Sequence, residues 1–323
     1  MVKKIKILII LIFAFFLTHI HLHAAVDNDE KIIVNIQKGE GVRKIAKKMK
    51  SKQLIASEFA FLFLTQITKS QDKLKAGVYS FSKKDGMLKI LKRLKSGSTN
   101  LVRITIPEGN NIKQTAEIIA KALPIDTNKF IEIANLNNLE GYLMPETYFV
   151  DLSIDEQSLI EMMNNEFKKK FYAQLNDRLK ETGEDLKNII ILASIVEKEA
   201  VKPEERAIIA AVFKNRIDKE IPLQSCATVL YAMGIVKPKL SIEDTKFASP
   251  FNTYIHHGLP PAPICSPGIE SIKAALYPAQ TDSLYFVSNG DGTHIFSSDF
   301  RKHVSNKRIA SINRQNLKKI NKK

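Results

Sequence analysis

From Ile189 to Val196 the chain reads Ile-Ile-Ile-Leu-Ala-Ser-Ile-Val, with one hydroxyl and no charge. A helix of this composition is apolar nearly all round, so it folds only where other elements cover most of its circumference. That demands a sizeable domain, and a chain of 323 residues with 44% hydrophobic content can build one. Glu197 and Glu199 follow at once. The negative end of the helix dipole and partial desolvation both disfavour a charged carboxyl there. A carboxyl that keeps its proton is what a general acid requires. The plain alternative is that Glu197 or Glu199 pairs with Lys198, Lys202 or Arg206 on an exposed final turn.

The N-terminus constrains where such chemistry takes place. Lys3, Lys4 and Lys6 precede an apolar run from Ile7 to Leu17, the pattern of an export signal, read either as a cleavable peptide or as an uncleaved anchor over residues 1–26. The lysines stay on the cytoplasmic side and the rest is translocated. An oxidising compartment permits a Cys226–Cys265 disulfide or two separate thiols, and spacing does not choose between them. The formal charge of +15 fits an anionic polymer, a membrane surface or a nucleic acid. The lysines read as spread along the chain, with no zinc-finger spacing or aromatic RNA-binding motif. A solvated basic surface is therefore expected, and no nucleic-acid partner.

Strand and helix signals alternate along the chain, giving an α+β expectation. Ile32 to Ile36 and Lys75 to Phe81 read as strands, with helical spacing between and after them, so residues 32–97 form a small module with no catalytic constellation. Residues 101–323 read as a mixed domain built on the buried helix. Near its end, Ser283 to Val287 and His294 to Phe296 flank Asn289-Gly290-Asp291-Gly292, a hairpin signal, and a basic helix closes the chain. Two loops, Leu223 to Thr228 and Ser249 to Tyr254, group amide, hydroxyl and aromatic side chains of the kind a sugar cleft uses. The Pro-rich Gly258 to Gly268 strap is too rigid for a linker. No His pair has metal-ligand spacing and no Gly-x-Ser-x-Gly elbow occurs, so no metal and no cofactor are expected.

Several ordered motifs together resemble the YceG-like (MltG) endolytic transglycosylases. They are Leu192 to Glu199, Leu139 to Tyr148 (Leu-Glu-Gly-Tyr-Leu-Met-Pro-Glu-Thr-Tyr), Leu223-Gln224-Ser225 with Thr228 and Tyr231, Asn252-Thr253-Tyr254, Gly258 to Pro261, Pro267-Gly268 and Leu284 to Val287. The resemblance implies a single-pass inner-membrane protein with a LysM-like module at 32–97 and an extracytoplasmic catalytic domain. Its substrate would be nascent peptidoglycan, and its neighbours the cell-wall synthases. The family cleaves between N-acetylmuramic acid and N-acetylglucosamine without water, leaving 1,6-anhydro ends and terminating strand elongation. Matched by position, the catalytic carboxyl falls on Glu197. Gln224, Ser225, Asn252, Thr253, Tyr254, Glu199 and Glu146 are then expected to contact substrate.

The chain departs from the family pattern at two places. Cys226-Ala227 stands where Asp-Pro is frequent, which removes a candidate second carboxyl and adds to the case for a Cys226–Cys265 bridge. Phe251 stands where Tyr is frequent, so no hydroxyl there is essential. The competing expectation is a non-catalytic peptidoglycan-binding scaffold.

Overall fold

The computed structural model describes residues 31–97, 101–152, 154–237 and 239–320. The expected export segment lies outside them, and among the described residues no helix is long and apolar enough to cross a membrane. The architecture is α+β, with helices outnumbering three two-stranded sheets. Contacts divide the chain into Met1–Arg103 with Phe149–Ser153, and Ile104–Tyr148 with Ile154–Lys323.

In the first unit, β1 (Lys31–Ile36) pairs antiparallel with β2 (Gly77–Ser82), from Lys31 opposite Ser82 to Ile36 opposite Gly77. Alternation along β1 turns Val34 and Ile36 inward. Between the strands run α1 (Val42–Ser51) and α2 (Glu58–Ile67), and α3 (Met87–Ser96) follows β2. The side chain of Ser57 caps α2 by accepting from the Ala60 amide. Ile45, Met49, Phe61, Tyr79, Phe81, Ile90 and Leu94 close a core of their own. The lysines are not spread evenly, contrary to expectation. Residues 31–97 hold seventeen Lys and Arg against four Asp and Glu, a net +13 of the chain's +15.

β3 (Leu101–Thr105) pairs with β4 (Thr147–Asp151). The second unit contains α4 (Ile112–Ala120), α5 (Thr127–Leu136), α6 (Glu156–Gln174) and α7 (Asn176–Thr182). Its centre is α8 (Leu186–Glu199), capped by Asp185, in which all eight residues from Ile189 to Val196 are buried. Fully buried Ile190 and Ile195 each contribute roughly 1.5–3 kcal/mol over exposure. Around α8 stand α9 (Arg206–Asp218), α10 (Cys226–Met233) and α11 (Ile269–Leu276). The hairpin of β5 (Tyr285–Ser288) and β6 (His294–Ser297) adds Phe286 and Phe296 to the same core, and α12 (Phe300–Ile320) follows.

The Pro-rich strap is laced onto α8. Ser194 Oγ accepts the Ile264 amide at 3.0 Å, and Cys265 Sγ donates to Ser194 O at 3.3 Å. Pro263 through Gly268 are all buried.

Candidate active site

Two residues advance a helix by about 200°, so Glu197 and Glu199 leave α8 in nearly opposite directions. Each meets the start of another helix, and the two surroundings differ.

Glu197 faces the start of α11. Its Oε2 accepts from Ser271 Oγ at 2.6 Å and from the Gly268 amide at 3.1 Å, while Arg206 Nη2 stands 4.0 Å from Oε1. Gly268 is the N-cap of α11, so this carboxylate occupies the positive end of a helix dipole and satisfies its free donors. Arg206 also donates from Nε to Ser271 Oγ at 3.1 Å and lies 3.8 Å from Glu108 Oε2. The turn bearing Glu108 is stitched down beside it: Gly109 N donates to Ser266 O, Ser266 N to Asn110 O, and Lys198 Nζ to Gly109 O. Burial, and after it the adjacent Glu197 charge, push the Glu108 carboxyl up, while Arg206 pulls it down. Glu197 is thus walled in, its side chain 8% exposed among fixed donors. This arrangement ties α8 to α11.

Glu199 faces the start of α10. Ser225 Oγ donates to its Oε1 at 2.5 Å, and the Ala227 amide also donates to it. Burial pushes the carboxyl above the ordinary range. Ser225, His294 and the Ala227 amide oppose that rise without cancelling it. His294 is held by Glu205, through Nδ1 to Oε2 at 2.7 Å and its amide to Oε1 at 2.9 Å. The surrounding loops carry Gln224, Cys226 and Tyr254. Gln224 is exposed in a left-handed conformation at φ 53°, its amide donating to Thr253 O. Cys226 Sγ and Tyr254 Oη are 3.2 Å apart, and both line a cavity of about 330 Å³ with Leu230, Lys237, Lys239, Leu240, Ser241, Ile242 and Thr245. Burial raises the Cys226 thiol and the Tyr254 phenol, and the Glu199 charge adds to both.

The expected substrate contacts separate on this geometry. Gln224 and Tyr254 reach solvent or the cavity, and Ser225 touches Glu199. Asn252 and Thr253 are 0% and 1% exposed, enclosed within their loops. Asn252 Nδ2 donates to Thr245 O and Phe247 O, its Oδ1 accepts the Tyr254 amide, and Thr253 Oγ1 accepts the Ser225 amide. Both residues shape the loops that carry their neighbours. Glu146 pairs with Lys170 and accepts the Thr147 amide, contacts that hold its carboxyl below the usual range.

The Cys226–Cys265 bridge is not formed. Both thiols are free, because Cys265 lies on the Ser194 face of α8 and Cys226 on the Glu199 side. Cys226 is exposed and Cys265 buried, so a thiol reagent is expected to modify one cysteine in the folded protein and two after denaturation. Equal, rapid labelling of both in the folded state would contradict this arrangement.

Glu140, in the Leu-Glu-Gly-Tyr motif, is a third buried carboxyl. It accepts from the Ile112 amide at 3.2 Å and from Tyr231 Oη at 3.3 Å, and burial pushes it up to about 7. A carboxyl raised in the folded state binds more protons than its unfolded counterpart between about 4.5 and 7. Its stabilising contribution is therefore complete at acid pH and is lost as pH rises through 7, by up to roughly 3 kcal/mol. Denaturation of Glu140→Gln is expected to lose this component, so its stability relative to the parent rises from pH 5 to pH 8. Parallel pH profiles would contradict the assignment.

Sequence reasoning missed Glu108, Ser271 and His294; it named Arg206 as a partner for Glu197 or Glu199, and the guanidinium stands by Glu197, though on a walled-in turn and not an exposed one. Nothing local in Pro107-Glu108-Gly109 indicates that this segment closes over Gly268.

A mixed α+β domain centred on a carboxyl-bearing buried helix defines the class of protein. Residues 34–309 match the YceG-like family, and the chain belongs to it. It is 32% identical to the endolytic murein transglycosylase of Bacillus subtilis over 89% of this chain and 87% of that protein. It is 29% identical to the endolytic murein transglycosylase of Streptococcus pneumoniae over 86% of this chain, which spans 58% of that longer relative. A crystal structure of a putative yceG-like protein from Listeria monocytogenes superposes with a TM-score of 0.59 at 31% identity, covering 86% of this chain and 99% of that one.

Proposed function

We propose that the chain is an endolytic murein transglycosylase, a lyase of peptidoglycan strands, and that its acid/base group is Glu199 and not Glu197. The observation that carries this reading is the pairing of a carboxyl raised by burial with loops that expose Gln224 to solvent and bring Tyr254 and Cys226 to an open cavity. Glu197 is committed to Ser271, the Gly268 amide and Arg206, whereas burial raises the carboxyl of Glu199.

The chemistry needs only one carboxyl. Protonated Glu199 gives its proton to the glycosidic oxygen as the bond to the muramyl C1 breaks. The resulting carboxylate then takes the proton of the muramyl 6-hydroxyl, whose oxygen bonds to C1 and closes the 1,6-anhydro ring. The proton count balances and no water enters. Paired-carboxylate glycosidases require a second acid for the nucleophile or for its activation. Here the sugar's own hydroxyl replaces it, which suits a chain with Cys226 where relatives often carry Asp. Ser225 Oγ and the Ala227 amide stabilise the carboxylate form during the cycle.

The same reading assigns residues 1–26 to an inner-membrane anchor, 32–97 to a LysM-like glycan-binding module and 101–323 to the catalytic domain. The β1-α1-α2-β2 order of the module supports the second assignment. Cell-wall synthases as neighbours follow from the family resemblance.

Mass spectrometry of products from purified glycan strands tests the reaction. Anhydro ends, one water lighter than hydrolysed ends, are expected. Hydrolysed ends would make the protein a hydrolase, and the absence of any product would favour a glycan-binding scaffold.

A further inference from the structure

The first unit carries a surface that the catalytic reading does not use. Helix α2 turns Phe61 and Thr65 into the core of the module and leaves Phe59, Phe63 and Ile67 outside, 73%, 44% and 61% exposed. They recur every four residues, so they form one row along the helix. The Phe59 and Phe63 rings stack at 6.4 Å. Two aromatic rings and an isoleucine in one largely exposed line mark a contact surface rather than scattered exposure.

Charge indicates what the row contacts. The module holds a net +13, and lysines bracket the helix. Lys50 reaches Ala56 O just before the helix starts, and exposed Lys52 and Lys69 lie on either side of it in sequence. An apolar row on a module this rich in ammonium groups complements a lipid boundary, where rings enter below headgroup phosphates that pair with the lysines. The row itself offers no hydrogen-bonding side chain, which a sugar face would require. Reach is sufficient: thirteen residues separate Leu17, the end of the apolar N-terminal run, from Lys31. They span at most roughly 50 Å when extended.

We propose that the Phe59–Phe63–Ile67 face docks on an anionic phospholipid surface, holding the module flat against the membrane. This contact is independent of the glycan chemistry.

The chain contains no tryptophan, so Phe63→Trp introduces a single fluorescent reporter on the exposed face. The full chain is reconstituted into vesicles of phosphatidylglycerol and phosphatidylcholine, or of phosphatidylcholine alone, with and without brominated acyl chains. Emission at shorter wavelength and quenching by brominated lipid are expected in the anionic vesicles. Both should weaken in high salt and in phosphatidylcholine alone. Phe59→Trp should report the same behaviour, and Lys50→Glu combined with Lys69→Glu should reduce it.

Water-like, unquenched emission in both vesicles overturns the proposal. So does equal quenching in both, which removes the role of charge. A concentration-dependent shift in detergent without lipid would assign the face to a second copy of the chain. A shift produced by glycan strands without bromine quenching would assign it to the wall polymer.

Discussion

Glu199→Gln loses glycan cleavage while the protein folds normally. Removing a positioned general acid costs on the order of 10²–10⁴-fold in rate, and here the same group also serves as base, so the upper end is expected. Gln still accepts from Ser225 and the Ala227 amide, and it fits where a carboxyl is already disfavoured as an anion. Stability should therefore be unchanged or slightly raised. Glu197→Gln is expected to behave in the opposite way. It removes the negative charge from the start of α11 and leaves Arg206 less well paired, costing about 0.5–2 kcal/mol of stability. The folded molecules keep most of their activity. Product release by both variants, alongside thermal denaturation, separates the two roles. Loss of activity in a fully stable Glu197→Gln, with activity retained in Glu199→Gln, would return the acid to Glu197.

Gly141→Ala is expected to destabilise the second unit by about 3 kcal/mol or more, through overpacking and strain together. Gly141 has φ +86°, a conformation that side chains oppose. An added Cβ would lie 2.7 Å from Pro263 Cβ and 2.8 Å from Ile190 Cγ2. Neither neighbour yields easily, since Ile190 is fully buried on α8 and Pro263 belongs to the strap. Because the neighbouring Glu140 accepts from α4 and from Tyr231 of α10, the damage should spread to the loops around Glu199. Chemical denaturation measures the loss. A midpoint equal to that of the parent would show that the motif is not packed in this way.

Much of this architecture was readable in the residues. The apolar run of α8, the strand pair of the module, the hairpin near the end and the two polar loops all appear where periodicity and turn chemistry place them. Periodicity describes an element's own faces, but not which neighbour each face meets. Glu197 and Glu199 differ only by two positions, and their different surroundings are set by α11 and α10, which lie 70 and 27 residues downstream. Asn252 and Thr253 looked like sugar ligands because amide and hydroxyl groups in loops serve backbone and substrate equally well. Their full burial decides for the backbone. Arg206 was readable as a partner for Glu197, but Glu108 was not, because its approach depends on the turn at 107–110 closing against Ser266. The concentration of charge in residues 31–97 was present in the sequence, but it acquires meaning only once those residues are seen to close a core separate from that of α8.

The central claim is that the carboxyl of Glu199 retains its proton above the range of an ordinary glutamate. A carbon-13 NMR titration of glutamate side-chain carboxyls, with Glu199→Gln used to assign its signal, reads this directly. The Glu199 resonance is predicted to titrate above 4.5 in the folded protein. A midpoint at or below that value would leave the site with an anion where the reaction needs an acid.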